Sequence, residues 1–336
     1  MKQDSSQPLP CPSVEDISIF MAFNDAYAPH ASVAIASILM NSESALHFFI
    51  LHRDISLETQ RRIMELRKLR HFEMDFIEVN ADLFHGLPTV PHITIECYFR
   101  LMIPWLNPVI NKALFMDSDI VVLDDVKDIW NFDIENVYAA VVEDVNSGAL
   151  KDIKKYAHAF DKGHRYFNAG IMLLNLKNIR ADFTLQKFMD IANRMKNVFK
   201  FADQDILNLA FARKLTYLPI KWNVTDAFMK KLRPPFSERK HEVRGVLQNP
   251  SLIHFTGSGK PWVFPFGTSS NPFACYYFHY LGKTDYSNTK LRLLSTCLKM
   301  TVWEFRYVWR HPLFFIRPAF WRAFFLRRAV GRKFRS

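Results

Sequence analysis

Short apolar runs alternate with segments of helical periodicity along the first two thirds of the chain. Apolar runs between polar loops are typical of buried strands, whereas apolar residues three and four positions apart indicate helices. The pattern predicts strands at 17–23, 46–51, 76–79, 113–116, 139–142 and 169–176, and helices at 31–40, 56–70, 185–198 and 205–211. This alternation favours an α/β fold with a mainly parallel central sheet. Since no Pro-rich or Gly-rich linker interrupts it, we expect one domain at 13–285.

Residues 261–282 form an apolar stretch without Lys, Arg, Asp or Glu. The stretch contains three prolines and a run of small polar residues at 268–271. A membrane-spanning helix of roughly 20 apolar residues would not carry these together. We therefore predict a loop region here and no membrane span.

The composition is that of a globular protein, with 49% hydrophobic and 23% charged residues. These values exclude wholesale disorder, and the 10 glycines exclude a collagen-like chain. The four cysteines form no C-x-x-C pair, which favours reduced thiols over a disulfide framework or a zinc site. Because the first sixteen residues have no apolar core of a signal sequence, we expect a cytoplasmic location.

Two carboxylates, Asp117 and Asp119, follow the apolar run at 113–116. Ligands of open α/β sheets bind at the carboxyl ends of strands, and two acids at this spacing can share a divalent cation. A D-x-D alone is also compatible with a solvated turn. The string DSDIV further matches the nucleophile motif of haloacid-dehalogenase-type phosphatases, although the later acidic pair of that motif is missing.

Five segments in one order resemble the family-eight retaining glycosyltransferases of the GT-A fold. They cover residues 17–262 most closely and are most similar to bacterial lipopolysaccharide core galactosyl- and glucosyltransferases. The segments are YFRLMIP at 98–104, DSD at 117–119, YFNAGIMLLNL at 166–176, DQDILN at 203–208 and HFTGSGKPW at 254–262. The resemblance implies a Rossmann-like nucleotide-sugar domain that uses a UDP-sugar, UDP-glucose or UDP-galactose, as donor.

The resemblance assigns the metal to Asp117, Asp119 and His254. Mixed oxygen and nitrogen ligands suit Mn²⁺, with Mg²⁺ as the alternative. A lone histidine is otherwise more often structural. Gly257 would let the backbone approach the diphosphate, and Lys260 would give its oxygens a positive charge.

The same resemblance implies further contacts with the donor. Arg100 would contact the donor sugar or phosphates, although a surface pair with Glu96 is the plainer interpretation of its spacing. The remaining expected donor-binding residues are Ser118, Asp144, Asn168 and Gly170.

Asp203 and Gln204 are the expected catalytic residues. In the family they lie beside the anomeric carbon, where Gln204 would stabilise a short-lived oxocarbenium-like species during front-face transfer. A covalent route through two carboxylates, as in retaining glycosidases, is the competing mechanism. The sequence does not distinguish the two.

One stretch departs from the family pattern for holding uracil and ribose. The family has Asp-x-Asn-Tyr after the first strand, whereas this chain has Asn24, Asp25, Ala26 and Tyr27. Tyr27 can stack on uracil and Asn24 can form a hydrogen bond, but Ala26 cannot replace an amide. We hypothesise that Asp25 replaces it.

The net charge of +11 lies entirely in the C-terminal tail, because residues 290–336 hold 12 Lys and Arg against one acid. Ten aromatic residues fall between 303 and 325, and Pro312 and Pro318 divide the segment into two predicted short helices. Basic and aromatic residues together favour an anionic membrane surface over nucleic acid or a tail packed on the domain.

The resemblance, together with the basic tail, implies a retaining hexosyltransferase with a lipid-linked saccharide acceptor of the lipopolysaccharide core. The basic tail, at 286–336, would hold it on the inner face of the bacterial inner membrane. The alternatives are a capsular glycan or protein acceptor, and a non-catalytic membrane-surface binder of sugar nucleotides.

Overall fold

The computed structural model describes most of the predicted domain and almost none of the tail. The described residues are 16–87, 94–145, 164–195, 201, 203–229, 232, 235–257, 260–262, 271 and 273–287. The two predicted helices of the tail lie outside them.

Nine strands form a seven-stranded sheet and a small two-stranded sheet. The strands are β1 Ile17–Ala22, β2 Leu46–His52, β3 Glu73–Glu78, β4 Lys112–Met116, β5 Ile120–Val122, β6 Ala139–Glu143, β7 Phe167–Asn175, β8 Leu215–Tyr217 and β9 Leu252–His254. The large sheet has the order β3-β2-β1-β4-β7-β6-β8, and β5 pairs with β9. Every neighbouring pair of the large sheet is parallel except the two made by β7, which is antiparallel to β4 and β6. The mainly parallel α/β sheet is thus confirmed.

Nine α-helices lie among the described residues. They are α1 Ala28–Asn41, α2 Leu57–Met64, α3 Ile103–Leu106, α4 Lys127–Trp130, α5 Leu176–Asp182, α6 Leu185–Met195, α7 Asp203–Ala210, α8 Lys240–Gln248 and α9 Ala274–Leu281. Five 3-10 segments of four to eight residues precede or join them; the longest is Ile95–Met102.

The large sheet is buried on both faces, which explains the unbroken apolar runs of its strands. Along β1, Ile19 and Met21 belong to one core cluster, whereas Phe20 belongs to the other. Alternate side chains of a strand point to opposite faces, so the two clusters cover the two faces of the sheet. Helix α1 packs in the first cluster with Phe48 of β2.

The N-cap predicted at Ser56 is confirmed at the start of α2. The Ser56 hydroxyl accepts a hydrogen bond from Thr59 N at 3.2 Å, as expected of an N-cap. The helix predicted at 56–70 is α-helical to Met64 and continues as a 3-10 turn at Glu65–Lys68.

The loop predicted at 261–282 is wrong in its last part, which is helix α9. Its tyrosines pack on α1: Nδ2 of Asn41 donates to the Tyr280 hydroxyl at 2.7 Å, and the ring of His30 lies 2.6 Å from the Tyr277 hydroxyl. The prolines and small polar residues that argued against a helix all precede this segment. Within the described part of the chain, no helix has the length and apolarity to cross a membrane.

Candidate active site

The candidate site lies where β1 and β4 end and the antiparallel strand β7 begins. Asp117 follows β4, and its N–H donates to the carbonyl oxygen of Gly170 in β7 at 2.8 Å. Two residues later β5 begins, and its pairing of Ile120 with His254 brings the end of β9 to the same edge. Residues more than 130 positions apart therefore meet because of strand pairing.

Asp117, Asp119 and His254 form the only group of three potential metal ligands among the described residues. One ligand atom from each lies within 4.8 Å of the other two. His254 Nε2 is 3.0 Å from Asp119 Oδ1 and 3.6 Å from Asp117 Oδ2. The predicted ligand set is therefore brought together.

The chemistry of these donors fits a divalent cation. The Nδ1 atom of His254 lies 2.9 Å from Oδ1 of Asn223, and because an amide oxygen only accepts, the tautomer that matches this contact carries its proton on Nδ1. The Nε2 atom then presents a lone pair to two carboxylates, an arrangement that a cation satisfies. Sequence reasoning missed Asn223, which lies 31 positions before His254 in a segment without a motif.

Lys260 lies beside the same carboxylates. Its ammonium donates to Asp119 and, at 3.0 Å, to the carbonyl oxygen of Phe255. Burial acts to raise the pKa of Asp119, but Lys260 and His254 outweigh it and hold that pKa well below its usual range. Asp119 is therefore ionised and available as a ligand.

Gly170 occupies a position that no larger residue fits. A Cβ there would lie 2.4 Å from His254 Cε1 and 2.5 Å from Asp117 Oδ2. Its role in this structure is to let the ligand side chains meet. Asn168 Oδ1 accepts a hydrogen bond from the Gly170 N–H at 3.0 Å.

Arg100 joins two of the predicted site residues rather than pairing with Glu96. Its Nη2 donates to Asp117 at 2.8 Å and its Nε lies 2.9 Å from Asp203, while Nη1 donates to the carbonyl of Ala169 at 2.6 Å. Burial acts to lower the pKa of Arg100, but the two carboxylates outweigh it and the pKa is raised. Burial raises the pKa of Asp203 to about 6, although Arg100 acts in the opposite direction.

Gln204 lines the cleft with its carboxamide held at both ends. Its Oε1 accepts from Asn168 Nδ2 and from the N–H of Ala169, each at 3.0 Å. Its Nε2 donates to Asp144 Oδ2 at 3.2 Å and to the Tyr166 hydroxyl at 3.1 Å. These contacts join Gln204, an expected catalytic residue, to Asn168 and Asp144, two expected donor-binding residues, in one network.

The segment after β1 contributes Asn24 and Tyr27 to the cleft, but not Asp25. The Asp25 carboxylate is exposed and accepts from the Ser56 N–H at 3.0 Å, on the side of α2. In this structure Asp25 therefore lies outside the cleft, and its contact with the base stays a hypothesis. The residue whose side chain contacts Asn24 is Glu96, which the sequence suggested only as a partner for Arg100.

Ser118 and Gly257 complete the predicted set. Ser118 is buried and lines the cleft between the two aspartates. Gly257 has φ +66°, a left-handed conformation that favours glycine, three residues after His254. It is exposed and is not among the described residues that line the cleft.

The family model for glycosyl transferase family 8 matches residues 18–264. Among curated proteins, the chain is 28% identical to general stress protein A of Bacillus subtilis over 81% of this chain and 96% of that protein. It is 25% identical to lipopolysaccharide 1,2-glucosyltransferase of Escherichia coli over 74% of this chain and 73% of that protein.

Among solved structures, the chain is similar to the galactosyltransferase LgtC in complex with donor and acceptor sugar analogs. The identity is 25%, the TM-score is 0.69, and the match covers 80% of this chain and 96% of LgtC. The sheet described above is therefore of the GT-A type. These matches leave no support for the phosphatase alternative.

Proposed function

Because the chain belongs to glycosyl transferase family 8, we propose that it is a metal-assisted retaining hexosyltransferase that takes glucose or galactose from a UDP-sugar. The acceptor we propose is a lipid-linked saccharide of the lipopolysaccharide core, which the names of its glucosyltransferase relatives support. The observation that carries the proposal is the meeting of Asp117, Asp119 and His254 beside Lys260, where both aspartates and Lys260 line the cleft.

The leaving group of this reaction is a nucleoside diphosphate, whose oxygens gain negative charge as the sugar departs. A divalent metal, Mn²⁺ or Mg²⁺, held by the three ligands would supply positive charge to those oxygens. Lys260 supplies a second, fixed positive charge at the same place, and its own hydrogen bonds orient it before the substrate arrives. Arg100 holds Asp117 from the buried side and so keeps that carboxylate in position.

The sugar would lie next to Gln204, whose network fixes the direction of its amide dipole. The nearby carboxylates are already engaged: Asp203 by Arg100, and Asp144 by Gln204 Nε2. A covalent route needs a carboxylate free to attack the anomeric carbon. This engagement supports front-face transfer, in which Gln204 stabilises the oxocarbenium-like species.

The experiment that tests this function is release of UDP from a panel of UDP-sugars, with Mn²⁺, with Mg²⁺ and with a chelator. We expect metal-dependent release from UDP-glucose or UDP-galactose. The variant Asp119→Asn should lose it, whereas Asp54→Asn, at an exposed aspartate that pairs with its neighbour Arg53, should not. Turnover that survives both chelation and Asp119→Asn would contradict the metal assignment.

The two alternatives, a non-catalytic binder and a transferase with another acceptor, can be distinguished from this proposal by UDP release and by the product formed. A non-catalytic binder would take up UDP with metal but release none from any UDP-sugar in the presence of acceptor. Transfer to a capsular glycan or a protein, and none to extracted lipopolysaccharide core, would keep the chemistry and replace the acceptor.

We further propose that the catalytic domain spans 13–285 and that the tail at 286–336 holds it on the cytoplasmic face of the inner membrane. The excess of basic residues beyond residue 290 supports this. Removal of 290–336 should abolish sedimentation with anionic vesicles and leave UDP-sugar turnover unchanged. Equal sedimentation of both chains would contradict the role of the tail.

A further inference from the structure

Glu96 is a buried carboxylate with one oxygen that has no partner among the described residues. Only 4% of its surface is exposed. Its Oε1 accepts a hydrogen bond from Asn24 Nδ2 at 3.4 Å, whereas no described group donates to Oε2. Leaving a buried acceptor unpaired is unfavourable, and more so for a charged group. Since Glu96 lines the cleft, a ligand can supply the missing donor.

The 3-10 helix Ile95–Met102 directs Glu96 to a different part of the cleft from its neighbours. Cys97 and Arg100 lie three residues apart and therefore on one face, since a 3-10 helix has three residues per turn. Arg100 on that face contacts Asp117 and Asp203. Glu96 lies a third of a turn away, against Asn24 at the end of β1.

The end of the cleft near Glu96 suits the nucleoside of the donor. In the proposed reaction, the diphosphate is held by the metal ligands and Lys260, and the sugar lies beside Gln204. The nucleoside would therefore lie against the segment after β1, where the half-buried ring of Tyr27 offers an aromatic surface.

Glu96 and Asn24 together offer an acceptor beside a donor. The acceptor is Glu96 Oε2, and the donor is the second hydrogen of Asn24 Nδ2, which no described residue engages. A uracil edge presents the complement, an N3–H donor flanked by carbonyl acceptors. Cytosine presents a lone pair at N3, which would face the carboxylate.

We propose that Glu96 is the specificity-determining residue that selects uracil, by accepting its N3–H through Oε2. This inference rests on the proposed function, because it needs a nucleotide donor in the cleft. It assigns to Glu96 and Asn24 the base contact that Ala26 cannot make.

The test is calorimetric binding of UDP and CDP to the full chain with Mn²⁺, in the wild type and in Glu96→Gln. We expect Glu96→Gln to weaken UDP binding about 10- to 100-fold, because the carboxylate acceptor is lost. CDP binding should not weaken, since a glutamine amide can donate to N3 of cytosine, so the preference for UDP falls at least about 10-fold. The matched control Glu78→Gln, at an exposed position of β3, should bind both like the wild type.

A second measurement needs no variant. The wild type should bind N3-methyl-UDP at least about 30-fold more weakly than UDP, because methylation removes the donor. The ribose hydroxyl is the competing donor, and 2′-deoxy-UDP should bind the wild type almost as well as UDP. Equal binding of UDP and N3-methyl-UDP, or a large loss only with 2′-deoxy-UDP, overturns the assignment.

The inference and the proposed function can fail separately. If the wild type binds no UDP with Mn²⁺, the proposed function is wrong. If it binds UDP but Glu96→Gln, folded by its thermal unfolding curve, keeps the wild-type preference for UDP over CDP, only the role of Glu96 is wrong.

Discussion

The Nδ1 atom of His254 lies 2.9 Å from Oδ1 of Asn223, so the imidazole is oriented from behind with Nε2 toward the two aspartates. Partners of this kind fix both the tautomer and the direction of a metal-binding histidine. The sequence contains no motif around Asn223.

Replacement of Asn223 by alanine should weaken Mn²⁺ binding about 10- to 100-fold, because His254 then loses the group that holds its tautomer. Calorimetric titration of Mn²⁺ in the presence of UDP measures this. The control is Asn131→Ala, an exposed asparagine away from the cleft. Wild-type Mn²⁺ affinity in Asn223→Ala would show that the hydrogen bond does not support the site.

Gly170→Ala should abolish metal-dependent UDP release, because the added Cβ would lie 2.4 Å from His254 and 2.5 Å from Asp117. We expect a loss of at least about 100-fold, the usual effect of displacing catalytic groups by an ångström. The control is Gly245→Ala in helix α8, where a Cβ meets nothing within 4 Å. It should keep full activity and gain about 0.5–1 kcal/mol of stability. Activity retained in Gly170→Ala would mean that the ligand cluster can rearrange.

Arg100→Met should lower the free energy of unfolding by about 3–5 kcal/mol, because it leaves the buried Asp203 and the half-buried Asp117 without their shared cation. Arg100→Lys should cost less but still destabilise, since one ammonium cannot reproduce the separate contacts of Nε and Nη2. Urea unfolding measures both. Arg53→Met, at an exposed pair, should cost no more than about 1 kcal/mol. A similar cost at Arg53 and Arg100 would argue against the bridging role.

Asp203 should make stability depend on pH between about 4 and 7. Because its folded pKa of about 6 exceeds the unfolded value of 3.8, the folded state binds the proton more tightly. This contribution is fully present below the unfolded pKa and is lost as the pH rises through the folded pKa. The total is about 3 kcal/mol, at 1.36 kcal/mol per pKa unit.

The variant Asp203→Asn lacks this titration. Without metal, its free energy of unfolding should therefore rise relative to the wild type by about 2–3 kcal/mol from pH 4 to pH 7. Asp54→Asn serves as the exposed control, with a difference from the wild type that stays flat. A flat difference for Asp203→Asn would mean that Arg100 keeps Asp203 ionised throughout.

Most of the strands, the cap at Ser56 and the pair Asp117 and Asp119 were predictable, because each depends on residues close together in the sequence. An apolar run indicates a strand buried on both faces of a sheet, and the cap at Ser56 joins residues only three positions apart. The helix α9 was missed because its stability comes from tyrosines that pack on α1, more than 200 positions earlier.

The sequence by itself determined the fold class, the family resemblance and the three residues predicted to bind metal, since these depend on local patterns and on motifs of fixed order. Only the tertiary structure decided which other side chains the residues of those motifs contact. It turned Asp25 toward Ser56, joined Arg100 to Asp203, and set Glu96 beside Asn24 across 72 positions. The physical reason is that a buried polar group takes its partner from whatever element the sheet pairing brings next to it, and sequence spacing does not record that neighbour.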